Sequence, residues 1–226
     1  MKLGLGLGFS QGGGVLDVFR VNNYIEGFED STANTATITL PSGIKSGDLI
    51  VIIASNDSAQ NGERLSIAGF TKEIEAGGAS QDAHVAFFWK TATGGETTAT
   101  LSHDTNFAAW VAMRIPLANA SPINGTSTSW AGGSSIGVLG VTTTVDNCLV
   151  FTAFAGDGAD TDPISITGTG WSAAGQLSSP EGDSASGVGF AWGFKTVASA
   201  GSAENSTGTL TGFDGISGIQ VAIKPA

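Results

Sequence analysis

The chain has 226 residues, 41% hydrophobic and 13% charged, which is enough apolar material for a sizeable core in one or two domains and argues against disorder. Nine basic against twenty acidic residues give a net charge of −11, so a surface that tracks phosphates is not expected and nucleic acid is excluded as a partner. The lone cysteine, Cys148, rules out an internal disulfide and a thiolate zinc cluster, and no run approaches the roughly 18 apolar residues that would span a bilayer.

The chain opens MKLGLGLGFSQGGG. In an extended conformation Leu3, Leu5, Leu7 and Phe9 share one face, and Gly4, Gly6 and Gly8 the other. Glycine weakens a free strand but lets another backbone come close. Such a ribbon is suited to joining a partner's sheet edge, where the partner supplies hydrogen bonds and pockets take the leucines; the plainer reading is an edge strand of the chain's own domain. Residues 1–14 are therefore read as an anchoring arm with QGGG as hinge, and 15–226 as the folded body. Glycine at every second place leaves no continuous apolar region for a signal peptide. GFSQG at 8–12 fits the nucleophile-elbow pattern G-x-S-x-G, but QGGG follows where that motif needs a helix, and chance accounts for it.

Beyond the arm, strand-like runs follow at regular spacing: VLDVFRV, TATITL, DLIVIIAS, LSIAGF, HVAFFWKTA, TTATLS, AAWVAMRI, SIGVLGVTTTV, CLVFTAFA, ISITG, GVGFAWGFKTV, STGTLTG and SGIQVAIK. They are rich in Val, Ile, Thr and Phe and bounded by Gly, Asn, Asp and Ser clusters, the composition of short strands and tight turns. No segment carries a sustained helical period, so the chain is expected to be all-β. LIVIIA and CLVFTAF are apolar without alternation and predict central strands covered on both faces. HVAFFWKTA alternates, with Val85, Phe87 and Trp89 on the buried side, and only Phe88 breaks the other side.

The later runs repeat the earlier ones in order. Leu49 matches Leu149 and Asp57 matches Asp157; Phe70 matches Trp171, Lys90 matches Lys195, Leu101 matches Leu210, and VAMR at 111 matches VAIK at 221. Residues 35–120 and 135–226 thus predict two duplicated halves, with ASPINGTSTSWAGGS as a turn-rich connector. The expected fold is an antiparallel, jelly-roll-like β-sandwich. A single sandwich in which the halves complete each other's sheets is favoured over two small ones in tandem, because the connector is short.

Candidate chemistry is sparse. His84 lies within a strand and His103 in a turn, and neither has a ligand-like neighbour two or four residues on. GDGADTD, with Asp157, Asp160 and Asp162, crowds carboxylates into one loop and is a weak calcium candidate; turn chemistry explains it better, and no metal or cofactor is expected. The glutamates fall in turns or on polar strand faces and do not read as a paired acid and base. Of five tryptophans, four lie in or beside core strands. Trp130, in the connector, is the candidate contact residue, with a glycan as the ligand an exposed indole face would suit.

A glycine- and leucine-rich start followed by a glycine run resembles the N-termini of bacteriophage structural proteins, including head-decoration (cement) and tail-fibre-like components. The body, from PSGIKSGDLIVIIAS through AFFWKTATGGETTATLS and WVAMRIPLANASPINGTS to GIQVAIKPA, is similar to a β-sandwich domain of phage virion and bacterial surface proteins over about residues 35–226. The resemblance implies a non-enzymatic virion component, made in the host cytoplasm and extracellular on release. Leu3, Leu5, Leu7 and Phe9 would hold it to other virion proteins. Homo-oligomers, trimers among them, are common in such proteins, though nothing in the residues fixes the number or chooses capsid over tail. The alternative is an adhesion module that binds host surface glycans through Trp130.

Overall fold

The computed structural model describes residues 22–29, 33–56, 65–77, 83–103, 107–116, 119–133, 135–157, 164–171, 174–178, 188–209 and 215–225. Every regular element among them is a β-strand, and every pairing is antiparallel. All eight residues of the run Leu49–Asn56 are buried, as its unbroken apolar sequence requires of a strand with cores on both sides.

That strand, β3, is the middle of a five-stranded sheet. β1 (Asn22–Glu29), β8 (Ala108–Ile115), β3, β6 (His84–Thr91) and β5 (Thr71–Ala76) follow one another in hydrogen-bonding order. β2 (Thr35–Thr39), β7 (Thr98–Ser102) and β4 (Ser66–Ile67) make a three-stranded sheet over one of its faces. A second five-stranded sheet runs β14 (Gly175–Ser178), β15 (Val188–Val197), β12 (Cys148–Asp157), β18 (Gly215–Ile223), β9 (Ile123–Ala131). Over it lie β10 (Ser135–Val138), β17 (Ser206–Thr209) and β13 (Ser165–Thr167), and β11 (Thr142–Thr143) pairs separately with β16 (Gly201–Ser202).

The two large sheets share one buried core, to which Val51, Phe87 and Val111 contribute from one side and Phe151, Trp192 and Val221 from the other. The Phe87 and Phe151 rings meet there with centroids 5.9 Å apart. Each three-stranded sheet closes a further core. Ile52, Phe88 and Trp110 pack with Ile38, Ile67 and Leu101, and Val150 and Phe154 pack with Ile136, Val138 and Ile166. Phe88, which interrupts the polar side expected of HVAFFWKTA, belongs to the first of these outer cores. That side is covered by a sheet rather than by water.

Every sheet draws its strands from one side of residue 119, so the halves do not complete each other's sheets. They meet through side chains: β1 lies over β14, β8 over β15, β3 over β12, β6 over β18 and β5 over β9. The stretch expected to be a connector contains β9. Its Thr and Ser residues suit an edge strand, which needs only one neighbour, and the polarity that suggested a turn is that of a half-exposed edge.

The two strand orders correspond member by member, and so do registers. Val51 faces Trp89 as Phe151 faces Phe194. Lys90 sits 5.9 Å from the Phe70 ring centroid, and Lys195 sits 4.7 Å from that of Trp171. The last strand departs from the sequence match: Ile53 faces Val111 and Ala153 faces Ile219, so Val111 corresponds to Ile219, not to Val221. A two-residue slip preserves the buried face, and the apolar pattern therefore could not reveal it.

Candidate functional site

Of the sequence-derived candidates, Leu3, Leu5, Leu7, Phe9, Asp160 and Asp162 lie outside the described residues, as does the Asp157 side chain at the end of β12. Trp130 is described. It stands near the end of β9, opposite Ser217, with 47% of its surface exposed. Trp110, Trp171 and Trp192 are buried, and Trp89 is partly buried, its Nε1 donating to Glu73 Oε2 at 3.1 Å.

Register gives Trp130 a counterpart that sequence matching did not find. Ser55 faces Ala109, which faces Phe28; Ala155 faces Ser217, which faces Trp130. Phe28 and Trp130 thus hold corresponding places on the two edge strands β1 and β9, and Phe28 is 45% exposed. Their surroundings differ. Phe28 is flanked by Glu26 and Glu29, whereas no charged residue occurs anywhere in 115–145. That stretch builds β9, β10 and β11, and β10 and β11 each contact β9. It also carries Trp130, Leu139 at 70% exposure and Val145, three of the five large apolar side chains exposed among the described residues. Asn124 ties the side together: its Nδ2 donates to Thr144 Oγ1 at 2.9 Å, and its Oδ1 accepts from Thr144 N at 2.6 Å.

On a chain of net charge −11, an uncharged side with exposed apolar groups is suited to protein or sugar contact. Trp130 offers an indole face, and Thr126 and Thr128, exposed at alternate positions beside it, offer hydroxyls.

Titratable groups elsewhere are engaged in packing. Glu26 Oε1 accepts from Trp192 Nε1 at 2.7 Å across the seam between the large sheets, and the Tyr24 ring meets Trp192 edge-on at 5.0 Å. Burial pushes the Glu26 carboxyl upward from its ordinary value, and the Trp192 bond only partly opposes this. Burial, with Glu26 nearby, raises the Tyr24 phenol too. Glu75 joins His84 Nδ1 at 3.0 Å and Lys72 Nζ at 2.8 Å, while Lys72 also donates to Leu65 O at 3.1 Å, stitching β5 to β6 and to the start of β4. Cys148 is buried, donates to Val145 O at 3.3 Å, and has its thiol raised by burial. The described residues include no group of three or more His, Cys, Asp or Glu side chains placed to hold a metal ion, and no helix long and apolar enough to cross a membrane.

No family model, no curated protein and no solved structure matches the chain.

Proposed function

We propose that the chain is a non-enzymatic structural protein of a bacteriophage particle. Residues 1–14 attach it, through Leu3, Leu5, Leu7 and Phe9, to other virion proteins or to further copies of itself, and the β-body is displayed on capsid or tail. One observation carries this reading. With the short β11–β16 pair set aside, in each half the first, last, third and sixth strands, in that order, lie in one sheet, and the second, seventh and fourth form the other. That order supports a jelly-roll wrapping, with the fifth strand added to the larger sheet. Its presence twice, with matching registers, supports duplication, and jelly rolls recur in viral capsid and lectin domains.

The test is co-sedimentation with particles stripped of the protein, comparing the full chain with one lacking residues 1–14. Rebinding of the full chain alone supports the reading, and the copy number per particle then separates capsid decoration from a tail fibre. Equal rebinding of both forms overturns it.

Trp130 favours a second reading, recognition of host surface glycans, because an exposed indole next to a row of hydroxyls suits a sugar ring. Saturable glycan binding that is lost in Trp130→Ala would establish it.

A further inference from the structure

We infer that the free edge of β9 is the acceptor for residues 3–9 of a second copy of this chain, which add to it as a sixth strand. The inference rests on the reading of residues 1–14 as an attachment segment and names what that segment attaches to.

The first argument is about edges. The two large sheets end in four strands, β1, β5, β9 and β14. Open edges invite unwanted pairing unless they are short or carry charge. β14 has four residues; β1 carries Glu26 and Glu29; β5 carries Lys72, Glu73 and Glu75. β9 has nine residues and no charge. Among the described residues only its beginning is covered, where Asn124 bonds Thr144 and Gly125 lies against Thr142. Positions 126–131 retain an edge with none of the usual protections.

The second argument is about charge. Two copies at −11 each repel, so contact is cheapest where both surfaces are neutral. Only two long stretches meet that condition around this edge and ahead of β1: residues 115–145, and residues 3–16. Shape agrees with charge. A strand of sequence LGLGLGF laid along β9 can set its leucines beside Trp130 and its glycines toward β10, which packs on the other face of β9.

In one molecule the acceptor edge β9 and the strand β1 lie at opposite edges of the stacked sheets. β9 lies over β5, at the edge of the stacked sheets farthest from β1, where the arm joins the body. Residues 10–21 span at most about 40 Å when extended, which is the reach available to the arm. Arm and acceptor on one molecule make a head-to-tail contact, which closes into a ring or extends as a chain.

The experiment uses full-length protein in three forms: wild type, an arm variant (Leu5→Asp with Leu7→Asp) and an edge variant (Thr128→Glu). Thr128 is exposed, so the substitution leaves the pairing of β9 with β18 in place; Thr126→Glu serves as a second edge variant, and near-ultraviolet circular dichroism checks that each form is folded. In sedimentation velocity, wild type should associate with rising concentration, and each variant alone should associate at least about tenfold more weakly, because an unpaired carboxylate would be buried in the new sheet. The two variants mixed should form a heterodimer, since one supplies a sound edge and the other a sound arm. Phe28→Ser, at the corresponding place on β1, should change nothing.

A wild type that stays monomeric, edge variants that associate like wild type, or a mixture that does not pair would each overturn the inference. Particle attachment separates this failure from failure of the broader reading. If the edge variant attaches as wild type does and the arm variant does not, the arm has another acceptor; if the arm variant attaches, the attachment reading itself falls.

Discussion

Phe154 and Gly218 face each other across β12 and β18, and a Cβ placed on residue 218 would lie 2.7 Å from Phe154 Cδ1. At the corresponding place in the other half, Ala54 faces Trp110. The bulk has moved from one strand to its neighbour while the space filled between sheets is kept, as close packing demands. Gly218→Ala should therefore destabilise the protein by about 1–3 kcal/mol, the usual cost of overpacking a filled core. Urea unfolding measures it, and Phe154→Leu in the same chain should recover part of the loss. An unchanged midpoint for Gly218→Ala would show that the ring can move aside.

The second half holds a buried polar network where the first has none. Thr152 Oγ1 and Ser206 Oγ lie 2.7 Å apart, Gln220 Nε2 donates to Ser206 Oγ at 2.9 Å and to Glu204 O at 3.2 Å, and Gln220 Oε1 accepts from Val141 N at 3.4 Å. Register places Ile52 and Ala112 at the sites that correspond to Thr152 and Gln220, both within the first outer core. Gln220→Ala should cost about 1–3 kcal/mol, because it leaves buried partners unbonded. Adding Thr152→Ile and Ser206→Ala, which removes the stranded hydroxyls too, should return stability toward wild type, as read by chemical denaturation.

Glu26 governs a pH effect at the seam. Its folded value is raised, so the protonated form is favoured by the fold: the contribution is whole below the ordinary value of 4.5 and is lost as pH rises through the raised one. Glu26→Gln keeps an acceptor for Trp192 Nε1 without the charge. It should raise the melting temperature at pH 7, by less than about 1 kcal/mol given the solvent around a half-buried group, and make no difference below pH 4. A lower melting temperature at pH 7 would mean that the charge itself holds the seam.

Glu96 behaves oppositely. Burial pushes its carboxyl up, but bonds from Thr93 N at 2.7 Å, Thr93 Oγ1 at 2.9 Å and Gly94 N at 2.9 Å outweigh it and hold the value at about 2. The carboxylate closes a turn in which Gly94 and Gly95 have φ of 100° and 84°. A lowered value gives stability that is present above 4.5 and lost as pH falls toward 2. Glu96→Gln should lower the melting temperature at neutral pH, and the difference should fade over that acid window.

The all-β character and the covered central strands were legible because they rest on local signals: β-branched and aromatic runs and turn residues. Lys90 and Lys195 kept their expected match because each packs on an aromatic ring just ahead of the neighbouring strand, Phe70 before β5 and Trp171 before β14, which ties residue identity to position. What escaped were relationships between strands. β9 was hidden by its Ser and Thr, the correspondence of Phe28 with Trp130 by their lying outside the matched stretches 35–120 and 135–226, and the register of the last strand by a slip of two that preserves alternation. The Glu26–Trp192 bond joins residues far apart in sequence, with no motif to mark it.

The halves face each other as two subunits of a twofold dimer would: β1 over β14 is answered by β5 over β9, and β8 over β15 by β6 over β18. In one chain such a pairing cannot fall apart on dilution, because its partner is always present at the concentration the tether sets. A single chain also frees the two faces from having to be identical. One edge can keep Glu26 and Glu29 while its counterpart sheds every charge, a division of labour that a true dimer of identical subunits could never adopt.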